Sequence, residues 1–117
     1  MGIARAAAVV LAALLFGCGE PVPQARISYV GEWRADKMLL VITPDGFVRY
    51  ARRREHGETT VNAPIQRFDG DNFVVGVGPF STTFVVSRPP HLDGAAWKMT
   101  VDGVELVRHS GPSEFNA

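Results

Sequence analysis

Short apolar runs alternate with turn signals along most of the chain, at a spacing of about ten residues. The clearest runs are rich in strand-forming residues: YVGEWRA at 29–35, KMLLVIT at 37–43, FVVGVG at 73–78 and STTFVVS at 81–87. Repeated runs of this kind are typical of all-β domains, and no convincing helical pattern follows Tyr29. We therefore predict an all-β fold: a small antiparallel meander of about seven to eight strands that closes into a barrel or half-barrel, with a flattened β-sandwich as the alternative.

Turn residues set the register of these strands. Pro44-Asp45-Gly46 predicts a tight turn, because proline pre-sets φ and glycine accepts a positive φ. Asp102-Gly103, between AWKMTV and VELVRH, is the strongest hairpin signal and predicts a type I′ turn. The pairs expected on the mostly apolar face of this hairpin are Val101–Val104, Met99–Leu106 and Trp97–Arg108.

Prolines interrupt the pattern at two places. Pro64 cannot donate to a ladder, so the strand over 59–68 is expected to lie at an edge, or to be bulged or broken there. The segment RPPHLDGA, 88–95, is predicted to be the longest irregular loop.

The N-terminal segment has a different character. Arg5 is its only charge, and 6–16 is an apolar stretch of about eleven residues. A bilayer span needs about 20 residues, so residues 1–17 are interpreted as a secretory signal peptide that is removed.

The sole cysteine follows this stretch directly. The sequence Leu15-Phe16-Gly17-Cys18 resembles the lipobox of bacterial lipoproteins. That resemblance implies cleavage between Gly17 and Cys18, a diacylglycerol on the Cys18 thiol and acylation of the new amino terminus. Gly19 in place of Asp implies a location at the outer membrane, facing the periplasm. An ordinary signal peptide or a membrane anchor with a chance cysteine is the alternative.

Domain boundaries follow from these assignments. Residues 18–28 are predicted to be a lipidated N-terminus with a Pro-containing tether that holds the domain clear of the bilayer. Residues 29–110 form a single β domain, and 111–117 form a C-terminal tail.

The stretch Gly31-Glu32-Trp33, at the start of the first predicted strand, resembles the G-x-W element that opens lipocalin-type barrels. In that superfamily the tryptophan closes one barrel end, and an arginine of the last strand packs across it. The resemblance implies that Trp33 and Arg108 form such a closure, as a cation–π contact of about 0.5–2 kcal/mol. Trp33 and Trp97 are both expected in the core.

Charge narrows the possible partners. Lys and Arg together number 12, as do Asp and Glu, and this balance argues against a dedicated nucleic-acid binder. The one charge run is Arg52, Arg53 and Arg54. Because side chains alternate along a strand, Arg53 shares a face with Arg49 and not with its two neighbours. These four arginines are candidates for contact with anionic lipid headgroups, lipopolysaccharide phosphates or peptidoglycan carboxylates; a solvated strand end is the alternative.

No catalytic or metal-binding pattern is recognisable. His56, His91 and His109 lack a ligand spacing, and Asp-Gly-Asp-Asn at 69–72 is interpreted as a turn, not as a calcium loop. No serine lies in a G-x-S-x-G context, and lipidation consumes the only thiol. We expect no enzyme activity, no cofactor and no metal.

The expected function is that of a non-catalytic binding or accessory module, attached to the membrane through its N-terminal lipid. Two alternatives stay open. A hollow barrel would suit a lipocalin-like carrier of a small apolar ligand, whereas a filled one would suit a structural or inhibitor lipoprotein. The latter would dock an envelope protein through the sheet edge near Pro64 or through the loop 88–95.

Overall fold

A computed structural model describes residues 20–109 of the protein. A short 3₁₀ helix, Gln24–Tyr29, precedes nine strands. Their bounds are β1 Gly31–Ala35, β2 Met38–Ile42, β3 Phe47–Arg54, β4 Gly57–Asp69, β5 Asn72–Val77, β6 Phe80–Phe84, β7 Val86–Asp93, β8 Ala96–Val101 and β9 Val104–His109. The predicted all-β class is confirmed, with nine strands in the described part of the chain instead of seven or eight.

The strands form one antiparallel sheet in the order β6-β5-β4-β3-β2-β1-β9-β8-β7. The sheet curls into a half-barrel, as predicted, and it is not a flattened sandwich. Its first and last strands lie side by side, since β1 pairs with both β2 and β9. The two outer strands, β6 and β7, follow one another in the chain and are separated only by Val85.

The last hairpin has the predicted geometry. Asp102 and Gly103 adopt φ values of 49° and 80°, the two positive values that a type I′ turn requires. Met99 pairs with Leu106 and Val101 with Val104, in the predicted register.

Inward-facing side chains alternate along each strand and fill the concave side of the sheet. The largest are fully buried, with at most 1% of their surface exposed: Trp33, Leu40, Ile42, Val48, Phe73, Val75, Phe84, Met99, Val101 and Leu106. Phe73 stacks on Phe84 with ring centroids 5.0 Å apart, and Tyr50 meets Phe84 edge-on at 4.9 Å. Aromatic contacts of this kind add to the stabilisation from burial.

The prediction of an irregular loop over 88–95 is wrong. Residues up to Asp93 form β7, which pairs with β8 through shifts of register. Arg88 lies opposite Thr100 and His91 opposite Lys98, so two prolines face a single residue of β8. A bulge of this kind accommodates prolines at an edge strand, because their missing N–H groups need not serve the ladder.

The C-terminal part of the predicted tether, from Val22 onward, belongs to the folded domain. Val22 is buried and its N–H donates to the carbonyl of Pro44 over 3.0 Å. Tyr29 is buried as well, and its hydroxyl donates to the carbonyl of Asp71 over 2.8 Å. The chain therefore joins the domain at Val22, before the predicted start at Tyr29. The predicted signal peptide, Cys18 and the tail 111–117 lie outside the described residues.

Candidate functional site

Strand β4 changes its neighbour halfway along its length. Its first part, 57–64, pairs with β3, whereas its second part, 65–69, pairs with β5. The change occurs at Pro64 and at a register shift between Ile65 and Arg67, as the sequence predicted for this proline. Among residues 20–109, no strand pairs with the other edge of 57–64.

Hydrogen-bond alternation shows which backbone groups this open edge presents. The N–H of Ile65 donates to the carbonyl of Gly46 on the β3 side, over 2.7 Å. In an antiparallel pair, successive residues direct their backbone groups to opposite sides. The N–H and C=O groups of Glu58, Thr60 and Asn62 therefore point away from β3, along the open edge.

A cleft of about 520 Å³ separates this edge from the β5–β6 hairpin. Its apolar lining includes Val61 and Ala63 of β4 and Val75 of β5. Two hydrophobic side chains of the hairpin also line it and are largely exposed: Val77 by 66% and Phe80 by 80%. Few large apolar side chains elsewhere in the described chain are as exposed, so the cleft combines unpaired backbone with apolar surface.

The hairpin that forms the second wall is held in place by two features. A Cβ at Gly76 would lie 2.0 Å from the carbonyl oxygen of Phe80, so only glycine lets these strands approach so closely. The side-chain amide of Gln66, at the bulge of β4, donates to the carbonyl of Gly78 over 3.1 Å. The hairpin tip is thereby tied to the point where β4 and β5 diverge.

The four candidate arginines all lie on β3, one strand away from the open edge. Arg49 and Arg53 occupy its outer face, opposite Asn62 and Glu58 of β4. Arg52 and Arg54 lie on the other face, and Arg54 donates from Nε to the Thr59 hydroxyl over 3.2 Å. The alternation follows the sequence prediction, and contact with an anionic surface stays a prediction.

Arg108 lies between two tryptophans. Its guanidinium carbon is 5.5 Å from the Trp33 ring centroid and 4.8 Å from that of Trp97. Trp33 is fully buried and donates from Nε1 to the Tyr29 carbonyl over 2.9 Å. A Cβ at Gly31 would lie 2.8 Å from Cδ of Arg108, so a larger residue there would displace the arginine. Gly31, Trp33, Trp97 and Arg108 therefore form one packed cluster.

The ionisable side chains of the described residues make local contacts. Within residues 20–109, no three His, Cys, Asp or Glu side chains are placed to hold a metal ion. His91 makes a 2.9 Å contact from Nδ1 to the carbonyl of Pro89. The Lys98 ammonium, 3.1 Å from Asp93, lowers the pKa of that carboxyl through a hydrogen bond and its charge.

Within residues 20–109, no helix has the length and apolarity that crossing a bilayer requires.

Sequence reasoning identified the edge near Pro64 but missed the cleft beside it. Val77 and Phe80 are apolar residues that flank a Gly-Pro turn, where polar residues are usual. This unusual pair is the feature of the sequence from which the apolar cleft could have been predicted. Comparison of the chain with protein-family models, with curated proteins and with solved structures found no match.

Proposed function

We propose that this chain is a lipid-anchored, non-catalytic docking module of a bacterial envelope, held at the outer membrane through an acylated Cys18 and facing the periplasm. The support for the anchor is the resemblance of residues 15–18 to a lipobox. Val22, the first buried residue among those described, comes only four positions after Cys18. Four extended residues span at most about 14 Å, so the domain would lie close to the lipid headgroups.

The concave side of the sheet is filled with side chains, and this observation favours a docking module over a carrier of a small ligand. The inward side chains of Trp33, Phe73 and Phe84 are at most 1% exposed. A carrier of a small apolar ligand needs a cavity of a few hundred cubic ångströms among such side chains. Here they pack on one another, which favours a partner bound at the outside.

Exposed apolar surface supports the same proposal. Val77 and Phe80 stand at the tip of one hairpin and project from a domain that is otherwise well packed. Burying two such side chains against a partner removes apolar area from water, at about 25 cal/mol per Å². The partner we propose is an envelope protein.

The anchor is tested with labelled palmitate. The wild-type chain should incorporate the label and fractionate with the outer membrane, whereas Cys18→Ser should do neither. Label in the Cys18→Ser chain would show that the anchor proposal is wrong.

Docking is tested by crosslinking in cells followed by mass spectrometry. A reproducible envelope partner should be captured by the wild-type chain and by Leu92→Ser, a matched loss of an exposed apolar side chain on β7. The double variant Val77→Ser, Phe80→Ser should lose it. A small apolar molecule bound one-to-one in native mass spectra of the purified chain would instead favour the carrier.

A further inference from the structure

We propose that the open edge of β4 receives an extended segment of the partner protein, which pairs with Glu58, Thr60 and Asn62 as an additional strand. This inference rests on the proposed docking function and names the partner's conformation and the place where it binds. The occupant is a short β-strand with apolar side chains on the face that meets the cleft and polar side chains on the other.

The backbone supplies the first argument. Three N–H groups and three C=O groups of β4 alternate along the open edge without a strand to pair with among the described residues. Proteins usually block such edges, and β7 does so with Pro89 and Pro90. No proline lies between Gly57 and Ala63, so β4 presents an unblocked template for strand addition.

The cleft supplies the second argument. An added strand would place every second side chain toward Val61, Val75 and Phe80, which line the cleft. Strand pairing satisfies the backbone, and the apolar lining selects the side chains at these alternate positions. The edge from 58 to 62 holds five residues, so a segment of about five to seven residues would cover it.

The outer face of the edge carries charges of both signs. Glu58 lies on that face beside Thr60 and pairs with Arg53, while Arg49 pairs with Asn62. Neither sign of charge is selected, so the outward side chains of the segment are expected to be polar.

A second copy of the chain is a less favourable occupant. Antiparallel pairing of two β4 edges about a two-fold axis would require the β5–β6 hairpin of each copy, which lines its cleft, to fit against the N-terminal part of β4 in the other copy. A single extended segment avoids this requirement. Self-association is therefore kept as an outcome of the experiment.

The experiment uses the full chain in detergent micelles and a random heptapeptide display library as the probe. Enriched peptides should alternate apolar and polar residues. On binding, hydrogen exchange at the amides of Thr60 and Asn62 should slow at least tenfold, because these N–H groups gain acceptors. Failure to enrich any peptide, or peptides that leave both amides unprotected, would overturn the inference.

Two variants at position 60 distinguish a loss of strand addition at the β4 edge from a loss of folding. Thr60→Pro removes an N–H that points away from β3, so the β3–β4 ladder should persist while peptide affinity falls at least tenfold. Thr60→Val keeps the N–H and should bind like the wild type. If Thr60→Pro does not fold, Phe80→Ser tests the same cleft and should weaken binding at least threefold. Unchanged affinity in the folded variants would refute strand addition.

Two further outcomes distinguish this inference from the docking function. Amide protection that appears without peptide and rises with chain concentration would show that the occupant is a second copy, which contradicts the inference. An envelope partner captured in cells by the Thr60→Pro chain as efficiently as by the wild type would leave docking intact and refute only the edge. Loss of capture with Thr60→Pro but not with Thr60→Val would support both.

Discussion

Asp102 and Val85 bond to each other twice. The N–H of Asp102 donates to the Val85 carbonyl over 2.7 Å, and the N–H of Val85 donates to the Asp102 carboxylate over 2.9 Å. Val85 is the one residue between the outer strands β6 and β7. The next N–H, that of Val86, donates to the side-chain carbonyl of Asn72 over 2.8 Å. These contacts fasten the point where the two outer strands of the curled sheet meet.

Asp102→Ala should lower the free energy of unfolding by about 1–3 kcal/mol, since it removes an acceptor and places alanine at a positive φ. Asp102→Asn should cost less than 1 kcal/mol, because asparagine keeps a side-chain oxygen and tolerates that φ. Urea unfolding of the two variants measures the difference. Equal stability of both would show that the pairing with Val85 contributes nothing.

Trp33→Ala should destabilise the domain by about 3–5 kcal/mol, because Trp33 is fully buried and bonds to the Tyr29 carbonyl. Trp97 is only partly buried, so Trp97→Ala is the matched control and should cost less. Thermal unfolding followed by circular dichroism gives both values. A cost below 1 kcal/mol for Trp33→Ala would contradict its place in the core.

Arg108 and Trp97 should show a coupling of about 0.5–2 kcal/mol in a double-mutant cycle, as expected for a guanidinium over an indole. The cycle uses Arg108→Gln, Trp97→Leu and the double variant, each measured by denaturant unfolding. Arg108→Lys should recover only part of the coupling, because an ammonium lacks the planar face that stacks on a ring. Strict additivity of the two single changes would rule out the contact.

Stability should fall at alkaline pH because of Tyr29. Burial, and after it the charge of Asp71, raise the pKa of the Tyr29 hydroxyl above its ordinary value, and Arg26 opposes this. The unfolded chain then loses the phenolic proton at a lower pH than the folded one. The contribution of Tyr29 is complete below the unfolded pKa of about 10 and is lost as the pH rises through the folded pKa.

This pH dependence is measured by urea unfolding between about pH 8 and 11, together with absorbance titration of the tyrosines. Tyr29→Phe should be less stable at neutral pH, since it loses the bond to the Asp71 carbonyl, but its stability should fall less steeply above pH 10. An unaltered slope in Tyr29→Phe would assign the effect to another group.

The full chain should bind vesicles with an anionic lipid more tightly than neutral ones, if Arg49 and Arg53 contact headgroups. Each arginine near such a surface contributes about 1 kcal/mol, so Arg49→Ser with Arg53→Ser should weaken the charge-dependent part of binding by about tenfold or more. Arg67→Ser with Arg88→Ser is the control with equal net charge. Cosedimentation at low and high salt checks this, and identical binding by both double variants would contradict it.

Local signals in the sequence predicted much of the sheet. The type I′ turn at Asp102-Gly103 and the pairing of Met99 with Leu106 depend on turn chemistry and on a period of two, both of which are local. The loop prediction over 88–95 failed because prolines also disfavour strands. Whether a bulge accommodates Pro89 and Pro90 depends on the partner strand β8, which lies further along the chain.

The sequence by itself determined the all-β class, the last hairpin and the interruption at Pro64, because each follows from residues that are neighbours in the chain. Only the tertiary structure decided that β6 and β7 meet at Val85 and that one edge of β4, which faces the β5–β6 hairpin, pairs with no strand among residues 20–109. Those features depend on how far the whole sheet curls. The curl arises from packing among side chains far apart in sequence, such as Trp33, Phe84 and Leu106, and from the Asp102–Val85 pairing that fastens it.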